Sequence, residues 1–96
     1  MEKIITLGNG KQINKDIELC RTTNEHISEQ AVQLLLENQI PFTKSFVSIP
    51  FYRRMKFHGA NQFYVISTNR NRYSQARRAI DQMDYHFRKR LIVSNY

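Results

Sequence analysis

Phe51 to Gly59 reads Phe-Tyr-Arg-Arg-Met-Lys-Phe-His-Gly, so three aromatics, three cations, a methionine and a histidine share nine positions. Rings that stack on unpaired bases, interleaved with cations that hold phosphates, are the equipment of a single-strand nucleic-acid binder. The same residue types make protein hot spots, because Tyr and Arg desolvate a large area at modest entropic cost. The candidate contact residues are Tyr52, Arg53, Arg54, Lys56, Phe57 and His58. The plain alternative is that Phe51, Met55 and Phe57 fold back onto the core and the cations merely solvate a loop. A second basic set follows in Arg70, Arg72, Arg77, Arg78, Arg88, Lys89 and Arg90. On one continuous helix Arg70 and Arg77 share a face and Arg88 falls near it, which would make a stripe that tracks phosphates. A solvated helix back is the alternative. A helix lying on a membrane fits less well, because the core needs its apolar side.

The remaining reactive residues do not assemble into a catalytic pattern. His26, His58 and His86 stand in three separate segments with no cysteine or carboxylate at ligand spacing, whereas a zinc site needs about four converging ligands. Cys20 has no CxxC partner and reads as a buried structural thiol; a catalytic thiolate would need a histidine or helix N-terminus beside it. Asp81 and Asp84 are three apart, but the arginines around them make salt bridges the better reading than paired-acid catalysis. Gly8-Asn9-Gly10 lacks the later glycine and the Lys-Ser/Thr of a phosphate loop, and a hairpin turn explains it. No catalytic residue, metal or cofactor is assigned, and the chain reads as a non-enzyme.

Charge narrows the choice of partner. Residues 1–49 hold the basics Lys3, Lys11, Lys15, Arg21 and Lys44 against the acids Glu2, Asp16, Glu18, Glu25, Glu29 and Glu37. Residues 50–96 hold Arg53, Arg54, Lys56 and the second basic set against only Asp81 and Asp84, so the second half carries +8 and the first −1 of the net +7. Such asymmetry predicts an acidic protein surface or a nucleic acid as partner, with self-association into a homo-oligomer a further option. Ninety-six residues suit a single domain, 1–96, and a composition 41% hydrophobic and 24% charged is that of a folded chain. No apolar run is long enough to span a bilayer, and the opening Met1-Glu2-Lys3-Ile4-Ile5 lacks a signal peptide's apolar stretch. With a lone cysteine, this gives a cytoplasmic expectation.

The elements that must position these residues follow from periodicity and turn chemistry. Lys3–Leu7 is β-rich and meets Gly8-Asn9-Gly10, which predicts a hairpin with Lys11–Asn14 returning. Asp16–Thr22 alternates as a strand, although Cys20 is buried or not according to the regularity of that alternation. Asn24 or Thr23 caps a helix whose stripe is Ile27, Ala31, Leu34 and Leu35, flanked by Val32 and Leu36, and which ends at Asn38 before Pro41. Phe42–Ile49 and Gln62–Thr68 read as strands, the second apolar on both faces as an interior strand is. Asn69 or Asn71 caps a final helix carrying Tyr73, Ala76, Ile80, Met83 and Phe87, with Arg77–Asp81 and Asp84–Arg88 as i,i+4 pairs. Ile92-Val93 either prolongs that helix or forms a short strand. The expected fold is α+β: a ferredoxin-like β-α-β-β-α core, two helices on one face of a mainly antiparallel sheet, with an N-terminal strand or hairpin added.

Four stretches carry a family likeness: Leu19-Cys20-Arg21-Thr22-Thr23-Asn24, Glu29 through Phe42 with its Leu-Leu and Ile-Pro, Phe63-Tyr64-Val65-Ile66, and Tyr73 through Ile80. Residues 17–84 resemble the small prokaryotic family of signal-transducing domains, related in fold to the PII nitrogen regulators. The resemblance implies a regulatory protein without a catalytic site, and places residues 50–61 where PII-like proteins contact their partners. The RNA-recognition pattern Lys/Arg-Gly-Phe/Tyr-Gly/Ala-Phe is absent around Phe63 and Tyr64. The expected function is a regulatory interaction module docking on an acidic macromolecule through residues 50–61 and the basic second helix. The competing expectation is a nucleic-acid binder using the same residues.

Overall fold

Asp16–Thr22 forms a strand, β2, but its alternation is broken. Glu18 lies opposite Ser67 and Cys20 opposite Ile66 of a neighbouring strand, so Leu19 is an extra residue, a β-bulge. The bulge resets which face each later side chain takes. Ile17 and Cys20 share the face opposite Thr68 and Ile66, whereas Glu18 and Arg21 are brought together on the other. Leu19 and Cys20 are both fully buried as a result. The structure, a computed structural model, describes residues 4–6 and 16–94.

The first helix, α1 (Glu25–Glu37), forms as the sequence predicts. Asn24 Oδ1 accepts from the Ile27 backbone N–H at 3.1 Å, capping one of the four donors a helix start leaves unpaired. Ile27, Ala31 and Leu35 of the stripe are buried, while Glu25, Glu29, Gln33 and Glu37 are exposed. At the far end Gln39 sits at φ +57°, and its N–H and that of Ile40 bond the carbonyls of Leu36 and Leu35. This is a Schellman ending with glutamine in the left-handed position that glycine usually takes. It buries Ile40 and turns the chain into β3 (Phe42–Ser48).

A 3₁₀ helix of just over two turns, Phe51–Phe57, links β3 to β4 (Gln62–Asn69). After a 3₁₀ turn at Arg70–Arg72 come α2 (Tyr73–Asp81), α3 (Tyr85–Arg88) and the short β5 (Ile92–Val93). Ile4–Thr6 is β1. The sheet is antiparallel throughout, in the order β1-β3-β4-β2-β5. Two β-α-β units interleave in it: β2-α1-β3 brackets β4, and β4-α2-β5 brackets β2. Both long helices cover one face, where Leu19, Cys20, Ile27, Leu35, Ile66, Ala76 and Ile80 form the main core. A second, smaller cluster of Ile49, Phe63 and Val65 lies on the opposite face with Phe57 and Ala60 packed against it. β4 is therefore covered on both faces, as its double apolar pattern requires.

Two expectations about the final helix are corrected. The final helix is two helices: α2 ends at Asp81, and Asp84 Oδ1 accepts from the His86 N–H to start α3. Asp84 is a cap here and no partner of Arg88. Neither Asn69 nor Asn71 caps α2, because the Arg70–Arg72 turn precedes it and Arg72 occupies the cap position without a side-chain bond. β1 pairs with β3, and the returning strand expected at 11–14 lies outside the described residues. Ile92-Val93 is strand, paired with Cys20 and Arg21.

Candidate functional site

The β3–β4 connection is held by its own backbone. Ile49 N–H donates to the Asn61 carbonyl at 2.9 Å, Arg53 N–H to Pro50 at 2.9 Å and Gly59 N–H to Arg54 at 2.8 Å. His58 at φ +55° and Gly59 at φ +81° reverse the chain back toward β4. A 3₁₀ segment has three residues per turn, so side chains at i and i+3 eclipse. That period sorts this sequence into three ridges.

By that period Phe51, Arg54 and Phe57 form one ridge, of which Arg54 and Phe57 turn inward while Phe51, at the start of the segment, stays exposed. Phe57 meets Phe63 edge-to-face at 4.8 Å between centroids, and Arg54 Nε donates to the Ile49 carbonyl at 3.0 Å. Phe57 is thus an anchor for the turn rather than a contact surface, and Arg54 closes the turn from within. A second ridge, Tyr52, Met55 and His58, points outward, with Tyr52 74% and Met55 92% exposed. Arg53 and Lys56 form the third, both exposed. Phe51, 79% exposed, lies edge-on to Tyr52 at 5.8 Å and widens the apolar tip. Phe51 and Met55 are the residues sequence reasoning missed; the three-residue period of the segment was the signal for Met55.

The arginines of the second basic set go separate ways. Arg77 Nη1 donates to the Ser94 carbonyl at 3.2 Å and to the Tyr73 hydroxyl at 3.3 Å, while that hydroxyl donates to the same carbonyl at 2.7 Å. Together they clasp the chain beyond β5. Arg88 pairs with Asp81 at 2.9 Å and ties α3 to α2. Arg72 donates to Gln75 Oε1 and to the Gln39 carbonyl. Arg70 and Arg78 are exposed. No single stripe exists, because the helix that would have carried it ends at Asp81.

The two basic regions are also far apart. Arg70 follows the end of β4, whereas the turn precedes its start, and eight residues of strand span about 26 Å. The turn packs against the sheet face that carries Phe63 and Val65, and α2 packs against the other.

No protein family, curated protein or solved structure matches this chain. Its own chemistry therefore carries the reading. Cys20 is fully buried, and burial pushes its thiol up to about 12, the opposite of nucleophile activation. The Arg21 guanidinium, bonded to both Glu18 oxygens at 2.6 and 2.7 Å, holds that carboxyl below its ordinary value. Arg21 also lies 5.0 Å from the Phe63 ring centre, a cation–π contact that braces the inward ridge from the sheet side. His26 and His86 lie against Phe87 and Tyr85, and among the described residues no three His, Cys, Asp or Glu side chains converge for a metal. No described helix is long and apolar enough to cross a membrane.

Proposed function

We propose that this chain is a non-enzymatic interaction module whose β3–β4 turn docks on an acidic face of a partner protein. One observation carries the reading. Phe51, Tyr52 and Met55 stand 79%, 74% and 92% exposed on a turn ordered by its own hydrogen bonds, beside the exposed cations Arg53 and Lys56. Large apolar side chains exposed together have a free-energy cost in water that a partner's surface would remove. A preordered turn loses little further entropy on binding, and the cations steer and align an acidic face. The strand order and the two interleaved β-α-β units support a ferredoxin-like plan for residues 16–94. A kinship with the signal-transducing domains, proposed on the sequence likeness alone, would put this turn at the partner-contacting position.

The test begins with the untagged protein purified from its own cells, with bound proteins identified and the A260/A280 ratio recorded. Against the captured partner, Arg53→Ala with Lys56→Ala should weaken binding by about 1–2 kcal/mol while the melting temperature stays unchanged. Arg54 is left in place, because its bond to Ile49 makes it part of the turn. Normal binding by the double variant would sink the proposal. A nucleic-acid partner would instead appear as a high A260/A280 ratio and a linear fall of log K with log salt, about 0.7–0.9 per phosphate contact.

A further inference from the structure

At the opposite end of the sheet from the turn, the end of α1 and the outer side of α2 enclose an open cleft of about 270 Å³. We propose that this cleft binds the phosphate-monoester group of a small polar metabolite. Its lining is Asn38, Ile40, Arg72, Gln75, Arg78, Ala79 and Gln82, so two guanidiniums and three carboxamides stand over a floor of the buried Ile40 and Ala79.

The absence of acid from this lining is built in. Two carboxylates stand nearby in sequence, and each is turned to another partner. Asp81, three residues after Arg78, is taken by Arg88, and Glu37 accepts from Gln33. The Arg78 side chain is exposed and makes no hydrogen bond or ion pair among the described residues. Arg72 is the opposite case. Its Nε donates to Gln75 and its Nη2 to the Gln39 carbonyl, which fixes the guanidinium at the cleft wall and leaves its Nη1 donors unused by these bonds. A held cation beside an unpaired one suits a doubly charged anion: the first positions it and the second closes on it.

A helix C-terminus normally repels anions, because its last carbonyls are unpaired. Here three of those carbonyls are occupied. Asn38 Nδ2 donates to Leu34, the Ile40 N–H to Leu35 and the Gln39 N–H to Leu36, while Arg72 covers Gln39 itself. The left-handed Gln39, a strained position for a non-glycine residue, aims that carbonyl at Arg72. With Gln75 Oε1 engaged by Arg72, its NH₂ group remains a donor, and Gln82 supplies both a donor and an acceptor suited to hydroxyls. The volume lies just below the range of drug-sized sites, which favours a sugar phosphate over a nucleotide.

The test is an NMR titration of amide shifts with glucose 6-phosphate, inorganic phosphate and glucose. Both phosphates should bind saturably, glucose 6-phosphate more tightly and glucose not at all, with shifts confined to residues 38–40, 72 and 75–82. Arg78→Gln should weaken binding about tenfold or more, and Arg72→Gln likewise, whereas Arg53→Gln should bind as the parent does. Arg78 is exposed, so its variant keeps the fold and remains informative should Arg72→Gln unfold. The proposal is overturned by the lack of saturable shifts, by shifts spread over all the basic segments, by glucose binding as well as its phosphate, or by an Arg78→Gln variant of undiminished affinity. The cleft shares no residue with the β3–β4 turn, so either proposal stands or fails without the other.

Discussion

The turn at 50–61 and the segment from 70 to 90 are both dense in cations, yet the fold treats them differently. In the turn one cation of three, Arg54, reaches a protein acceptor. In the later segment Arg72, Arg77 and Arg88 are each bound to carbonyl, hydroxyl, amide or carboxylate oxygens. The difference lies in what surrounds them. The turn projects beyond the start of β4, so Arg53 and Lys56 meet water. Arg72, Arg77 and Arg88 stand within reach of Gln39, Ser94 and Asp81, which other elements bring to them. A guanidinium is available to a partner only where the fold has supplied it with no acceptor of its own, whatever the local charge density.

The largest effect expected to separate the two regions concerns packing. Ile80 of α2 is fully buried, so Ile80→Ala should lower stability by about 2–5 kcal/mol in urea titration. Met55→Ala at the tip should change it by less than about 0.5 kcal/mol. A comparable loss at Met55 would break the comparison, because the tip would then be part of a core.

A pH effect belongs to the covered side of the sheet. The Cys20 thiol is pushed up to about 12 by burial, first, and by the Glu18 carboxylate. Unfolding releases it to its ordinary value, near 8.5, so its contribution is complete below that pH and is lost as pH rises toward 12. The slope should be about 1.4 kcal/mol per pH unit above pH 9, read as the difference between the parent and Cys20→Ala in denaturant titrations. Parallel pH profiles for the two proteins would mean the thiol is solvated.

Smaller effects test the acceptors themselves. Gln39→Gly relieves the left-handed strain and keeps the carbonyl that Arg72 uses, so it should raise stability by about 0.5 kcal/mol in thermal melts. A lowered melting temperature would mean the Gln39 side chain contributes beyond its backbone. A small change is expected at Arg88, whose pair with the half-exposed Asp81 should contribute about 0.2–1 kcal/mol. Arg53→Ala should cost nothing measurable, and equal losses at the two sites would erase the distinction between a cation with a protein acceptor and one without.

The local sequence by itself determined α1, β3, β4 and most of the core. Asn24 caps three residues ahead, Ile27, Ala31 and Leu35 recur at helical spacing, and Phe63 through Thr68 carries apolar residues on both faces; such signals act over three or four positions and need no distant partner. The density of rings and cations at 51–58 was legible in the same way, as composition. Which of them face out was decided by the 3₁₀ period and by Phe63, across the turn in the next strand. The bulge at Leu19, which buries Cys20 and joins Glu18 to Arg21, depends on cross-strand register with Ser67 and Ile66. The break after Asp81 runs against an unbroken apolar stripe, and Phe87 still packs against the core from the far side of it. The fate of each arginine rested on oxygens as remote in sequence as Gln39 and Ser94. Hydrogen bonds form between groups that are close in space, so only the tertiary structure could assign them.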